Sequence, residues 1–201
     1  IGSVEFVLEY FKKNFGEHSI PKPINIPSEL LIQRYTKRHV DNIEVTDDFK
    51  SKHTSFDMTL FVKSNEIIKD ERNGIYHNGF SNIPNGNFQI SSIIDEFKAE
   101  FRCFIFENRI LDVRQYDGDF KLKPDFKLIE EMVSSYKEAP HAYTLDVGIT
   151  TNNETVIIEV HDFFSCGLYG FMETKKLPFM FWRWYYYYII NLIKKEGRLK
   201  W

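Results

Sequence analysis

The sequence predicts an α+β fold built around a mostly antiparallel sheet. Short apolar or alternating runs recur between residues 88 and 161, in pairs separated by turn-forming residues. Helical stripes fall before, between and after these pairs, without the strict strand–helix–strand alternation of a parallel sheet. The 201 residues are 43% hydrophobic and 16% aromatic. That is enough to bury a core in one domain, or in two small lobes sharing a cleft.

The elements follow in chain order. Val4, Phe6, Val7, Tyr10 and Phe11 form a helical stripe over residues 3–14, and Gly16 can stop that helix. Pro21, Pro23 and Pro27 make residues 19–30 largely extended. Residues 41–57 are polar and charged and read as a loop or irregular stretch. Met58 to Lys63 reads as a strand. Arg72 to Asn87, with Gly74, Gly79, Pro84 and Gly86, reads as a turn-rich, mobile flap. Residues 88–94, 100–106 and 109–116 read as strands, the last two joined by the two-residue turn Glu107-Asn108. Phe126, Leu128, Ile129, Met132 and Val133 give a helix over residues 125–137, begun by Pro124-Asp125. Residues 142–149 and 155–161 make a second hairpin across Thr151-Asn152-Asn153-Glu154. A last helix runs from Pro178 to Lys195, with Gly197 just beyond it. There is no internal repeat, and no low-complexity tract beyond Tyr185–Tyr188.

Composition narrows the function. A net charge of -3 and a pI of about 6.1 give no basic surplus for nucleic acid. Two cysteines, Cys103 and Cys166, make no disulfide framework and fit a reducing cytoplasm. No uncharged apolar run reaches the length of about 18 residues that a membrane span needs; the nearest, Phe179 to Ile193, contains Arg183 and Asn191. Ile1-Gly2-Ser3 leads directly into an amphipathic stretch with no signal-peptide pattern.

The chemistry concentrates in the second hairpin. Tyr143, Leu145, Val147 and Ile149 are apolar and predict a core face, with Asp146 on the opposite face. In the returning strand Val156, Ile158 and Val160 predict the core face, and Thr155, Ile157, Glu159 and His161 point away from it. The hairpin is therefore expected to gather Asp146, Glu159 and His161 on one exposed face. Two close carboxylates repel unless a cation or proton separates them, and a hard ion such as Mg²⁺ would satisfy them. The alternative is a solvated hairpin with scattered acids. Lys63, at the end of its strand, can reach a phosphate as a point charge, and Lys69 could add a second contact. Lysines also commonly mark strand ends. Arg102 interrupts the apolar run Phe101 to Phe106, so it must either pair internally, with Glu100 or Asp112, or face a cleft. Gly167 and Gly170, within Phe163 to Phe171, permit close approach of backbone to a ligand. Walker A, dinucleotide-binding, G-x-S-x-G and zinc spacings are all lacking.

Taken together, Leu60-Phe61-Val62-Lys63, Glu100-Phe101-Arg102-Cys103-Phe104-Ile105, Ala142-Tyr143-Thr144-Leu145-Asp146-Val147-Gly148, Ile158-Glu159-Val160-His161-Asp162 and Gly167-Leu168-Tyr169-Gly170 resemble the ATP-grasp superfamily. The likeness is to the clade named for two arginines and one lysine. It covers residues 58–171, with weaker similarity upstream through Arg38. It implies two small α+β lobes with mostly antiparallel sheets clasping ATP. Residues 1–57 would be a partial pre-ATP-grasp segment and 58–201 the ATP-grasp domain, with 58–95 clasping nucleotide and 96–201 binding metal.

The resemblance also implies residue roles. Lys63, Arg102 and Arg38 would be the catalytic cations, Lys63 on the ATP phosphates and Arg102 on the transferred phosphate. Asp146 and Glu159 would hold Mg²⁺, joined by His161 where the family usually carries Asn. The strand Gln89 to Ile94 would line the adenine pocket, with Asp95 or Glu96 near the base or ribose. The activity implied is an ATP-dependent carboxylate–amine ligation through an acyl phosphate, with ATP and Mg²⁺. The acid and amine are unknown and could be a peptide or protein. The competing readings are a nucleotide-binding protein without turnover and an interaction module built on the aromatic helix 179–190.

Overall fold

The computed structural model describes residues 3–53, 58–94 and 96–195. Asp95 and Gly197, named above, lie outside them. The chain forms α1 (Val4–Phe15), α2 (Gln33–Thr36), β1 (Val40–Val45), α3 (Asp47–Lys52), β2 (Leu60–Ser64), β3 (Gly74–Tyr76) and β4 (Gly86–Ser92). It continues through β5 (Phe97–Phe106), β6 (Arg109–Gly118), α4 (Phe126–Ser135), β7 (Ala142–Thr150), β8 (Thr155–Asp162) and α5 (Leu177–Lys195). Two four-stranded sheets result, ordered β1-β4-β2-β3 and β6-β5-β7-β8. Among the described residues every strand pairing is antiparallel.

Local chemistry explains the punctuation. Ser3 caps α1 by accepting from the Phe6 N–H, and Asp125 caps α4 by accepting from the Leu128 N–H. Gly16 ends α1 at φ 91°. Glu107 and Asn108 both adopt positive φ, 49° and 58°. This is the twist a two-residue hairpin needs between β5 and β6.

Two expectations about the first sheet are corrected. Residues 41–57 are not irregular through their described part. Asp41 to Val45 pair with β4 as an edge strand, and Thr46 caps α3 by accepting from the Phe49 N–H. The polar pattern reflects an edge strand with one solvated face. The first sheet thus draws a strand from upstream of residue 58, and its lobe reaches back to Val40. Nor is the stretch 72–87 wholly turns: β3 pairs with β2, and Ile83 is buried beside Phe88.

The second sheet is covered on both faces. Leu128, Ile129, Met132 and Val133 of α4 pack with Ile105, Leu145 and Val147 on one face. Val7 and Phe11 of α1, with Met180 and Trp184 of α5, pack with Phe104, Phe163 and Phe171 on the other. Each fully buried side chain of this size stabilises the fold by about 1.5–3 kcal/mol. β7 is buried along its whole length, so Asp146 does not lie on an exposed face as predicted. A bulge in β8 also breaks the predicted alternation. Asp146 pairs with Glu159 but Val147 pairs with Ile157, leaving Ile158 as the extra residue. Ile157 therefore joins Val160 in the core, and Ile158 faces the cleft between the sheets.

Candidate active site

Three adjacent strands set one row of side chains. Arg102 of β5 lies opposite Asp146 of β7, and Asp146 lies opposite Glu159 of β8. Cross-strand neighbours share a face and sit within side-chain reach. Arg102 closes a fork on Asp146, with Nε donating to Oδ1 at 2.8 Å and Nη2 to Oδ2 at 2.6 Å. Both are buried, Asp146 at 1% exposure and Arg102 at 8%. The arginine is thus paired internally and turned toward the cleft at once, and its partner is neither Glu100 nor Asp112. Glu100 instead accepts from the Tyr116 hydroxyl, and Asp112 accepts from Arg114. Burial disfavours the Arg102 charge, but the hydrogen bonds and charge of Asp146 outweigh it and hold the guanidinium firmly ionised.

The fourth member crosses from the other sheet. Lys63 of β2 forms an ion pair with Glu159. Burial pulls the Lys63 ammonium down to about 8, Arg38 adds to the effect, and Asp146 opposes it. His161 Nε2 lies 2.7 Å from Glu159 Oε1 and 4.0 Å from Asp146 Oδ2. Burial pushes its imidazole down to about 4; Asp146 resists, while Arg102 and Lys63 reinforce the shift. His161 is therefore neutral at pH 7. One donor atom each from Asp146, Glu159 and His161 lies within 4.8 Å of the others. Two carboxylate oxygens and a neutral imidazole are a workable donor set for a divalent ion, and the two cations paired with those carboxylates are of the types that can bind an anion.

Beside this row a cavity of about 360 Å³ opens between the sheets. Phe61, Ile75, Ile93, Ile94, Phe97 and Ile158 give it apolar walls, and Arg38, Lys63 and Glu159 line it as well. The Arg38 Nη1 donates to the Ile157 carbonyl at 3.0 Å, and burial lowers its guanidinium to about 10. Lys63, Arg38, Ile94 and Glu159 are thus brought together, with Arg102, Asp146 and His161 adjoining. Lys69 is not part of this cavity: it pairs with Glu5 at 2.9 Å and lines a second cavity. Glu96 is exposed and lines a separate surface cleft with Lys98 and Asp117.

Sequence reasoning missed two aromatic residues. Tyr116 and Tyr169 stack at 5.0 Å, and the Arg102 guanidinium lies over their rings at 5.8 and 5.2 Å. Tyr169 holds a positive φ of 46°, a costly conformation for a bulky residue. Its place between Gly167 and Gly170 was the available signal. Asn25 was missed too. It donates from Nδ2 to the Ser64 carbonyl at 2.9 Å and bridges to Val160, tying the two sheets together.

The profile of an ATP-grasp domain, family 2 of the clade named for two arginines and one lysine, matches residues 35–177. The chain belongs to this ATP-grasp family. No curated protein sequence matches it. Several solved structures are similar to this ATP-grasp chain. N5-carboxyaminoimidazole synthetase from Staphylococcus aureus complexed with ADP gives a TM-score of 0.44 at 12% identity, covering 62% of this chain and 38% of that one. The ATP-grasp ligase PsnB complexed with minimal precursor gives 0.46 at 9%, covering 72% and 54%. D-alanine–D-alanine ligase from Bacillus anthracis complexed with ATP gives 0.49 at 13%, covering 95% and 76%. The chain thus spans 38% of the first and 54% of the second. Among the described residues, no helix is long and apolar enough to cross a membrane.

Proposed function

We propose that this ATP-grasp chain is an ATP-dependent carboxylate–amine ligase working with ATP and Mg²⁺. One observation carries the reading. Two cations from different sheets, Lys63 and Arg102, face two carboxylates and a neutral histidine beside an apolar cavity of about 360 Å³. The apolar walls suit a planar base, with Ile94 against it, and the Lys63 end suits the phosphates. Arg38, Lys63 and Arg102 would bind and orient phosphate oxygens and offset their charge. Asp146, Glu159 and His161 would hold the metal. When bound, Mg²⁺ supplies charge neutralisation at the phosphate oxygens.

The row is self-neutralised, each carboxylate taken by a cation. Nucleotide binding would exchange partners: Lys63 and Arg102 would turn to phosphate, and Asp146 and Glu159 would be free to hold the metal. In the reaction, a substrate carboxylate oxygen attacks the γ-phosphorus. The bond from phosphorus to the bridging oxygen breaks, and ADP leaves with the electron pair. An amine nitrogen then attacks the acyl carbon, phosphate leaves, and the nitrogen's surplus proton passes to solvent. No side-chain nucleophile is required. The acid and amine are left open, a peptide or protein among them, and a cytoplasmic setting accords with free Cys103 and Cys166.

A screen of acid and amine pairs for ADP and phosphate release tests the reading. Release that depends on both partners and vanishes in Lys63→Ala supports it; MgATP binding with no release for any pair counts against turnover. A second reading, nucleotide binding without turnover, is favoured by His161 standing where the family usually carries Asn.

A further inference from the structure

The Lys63–Glu159 pair borders two cavities. One is the apolar cavity assigned above to the nucleoside. The other, about 300 Å³, lies between the start of α1, the extended segment 22–25, the turn after β2 and the end of β8. We propose that this second cavity seats the carboxylate substrate, and that it takes a small acid bearing a second anionic group at its outer end. The proposal rests on the nucleotide reading of the first cavity.

Three observations carry it. The first is position. In phosphoryl transfer the attacking and leaving oxygens stand roughly in line across the transferred group. With ADP leaving toward the first cavity, the attacking oxygen approaches from the other side of Lys63 and Glu159, and that side is the second cavity.

The second is charge. Lys22 and Lys69 both line this cavity and are exposed, which places them toward its mouth. Among the described residues Lys22 has no ion-pair partner. Lys69 is held by Glu5, but the two side chains are 64% and 68% exposed. A surface pair of that kind contributes little and exchanges readily for a ligand anion. The cavity's acids are already engaged. Glu159 is held by Lys63, and Asp162 accepts from the Trp184 indole N–H at 2.7 Å. With MgATP bound and Glu159 on the metal, the inner end would offer Lys63 to the transferred phosphate and to the carboxylate that attacks it, and the mouth offers Lys22 and Lys69 to a second anion.

The third is size and lining. The cavity is at the small end for ligand sites. Val4, Ile24, Ile67 and Phe164 also line it and give it apolar wall. A short hydrocarbon spacer between two carboxylates matches a cavity lined by both lysines and apolar side chains.

Glutarate and valerate, diacid and monoacid of equal chain length, are the probes. Each is given to the MgATP-loaded protein with hydroxylamine as the trapping amine, and ADP and hydroxamate are measured. The carboxylate oxygen takes the γ-phosphoryl group and ADP leaves. The hydroxylamine nitrogen then bonds to the acyl carbon as phosphate leaves, and its proton goes to solvent. Glutarate should half-saturate at a concentration at least about tenfold below valerate. Lys22→Glu, a change at an exposed position, should raise the glutarate value about tenfold and leave the valerate value in place. Valerate matching glutarate, or Lys22→Glu leaving glutarate unmoved, overturns the proposal. The dissociation constant for MgATP separates the two failures. A protein that binds MgATP but does not discriminate between the acids loses only this inference. A protein that does not bind MgATP loses the nucleotide reading, and this inference with it.

Discussion

Replacing Arg102 with Ala strands Asp146. The carboxylate is 1% exposed and loses both prongs of its fork, at 2.8 and 2.6 Å. The other basic groups near it are His161 Nε2, at 4.0 Å and neutral at pH 7, and the Lys63 ammonium, which is paired with Glu159. Removing one partner of a buried ion pair costs about 3–5 kcal/mol, because the other charge is left uncompensated. At roughly 2–4 °C per kcal/mol for a chain of this size, the melting temperature should fall by roughly 6–20 °C. Asp146→Asn should cost less. Its amide keeps an acceptor oxygen, and Arg102 still has the Gly167 carbonyl at 3.4 Å and the Tyr116 and Tyr169 rings. In the Arg102→Ala, Asp146→Ala double variant the buried charge is gone from both sides, so much of the loss should be recovered. Urea unfolding of the wild type, both Ala variants and the double variant gives the coupling, expected near the top of the roughly 0.5–3 kcal/mol range for contacting residues. Arg102→Ala within about 1 kcal/mol of wild type, or strict additivity, would refute the pairing as a buried one.

Two neighbours should give opposite pH slopes in stability. His161 is pushed down to about 4, so its contribution is present above 6.5 and is lost as pH falls toward 4. Asp162 is raised to about 6 by burial, against a hydrogen bond from Trp184, so its contribution is present below 3.8 and is lost as pH rises through about 6. Unfolding midpoints at pH 4.5 and 7 should therefore shift in opposite senses in His161→Asn and Asp162→Asn, and shifts of one sign would contradict both assignments. The flap makes a separate test. β3 is held to β2 by only three register pairs, and the segment beyond it by the Gly79 N–H to the Met58 carbonyl and by buried Ile83, so protease cleavage within residues 77–85 should slow when MgATP is added. Cleavage at an unchanged rate removes the flap.

The fold was largely legible because strand periodicity and turn chemistry act locally. The alternation of Tyr143, Leu145, Val147 and Ile149 gave the face of β7 that packs with α4, though not the burial of its other face, and Glu107-Asn108 gave the first hairpin. The bulge at Ile158 was not legible. A run of apolar residues fits either face, and only pairing with β7 reveals which residue is extra. The edge strand β1 was hidden by its polarity, since its partner β4 lies more than 40 residues away by register, as in Asp41 with Ile90. At the site, the residue types pointed to cations and carboxylates, but their partners are set by sheet register. Arg102 reaches Asp146, 44 residues on, rather than Glu100 or Asp112 nearby. Lys69 lay close to Lys63 in sequence, yet the turn after β2 carries it to Glu5. Tyr169 was invisible as a partner of Arg102 because the loop that delivers it has no periodicity.

The row of Lys63, Arg102, Asp146, Glu159 and His161 is proposed to hold a metal–nucleotide complex. Calorimetric titration of the protein with ATP, in Mg²⁺ and again in EDTA, tests it most directly. Without metal, Asp146 and Glu159 compete with the phosphates for Arg102 and Lys63. ATP should therefore bind in Mg²⁺, with affinity weaker by about tenfold or more in EDTA. Equal affinity in the two conditions would contradict it.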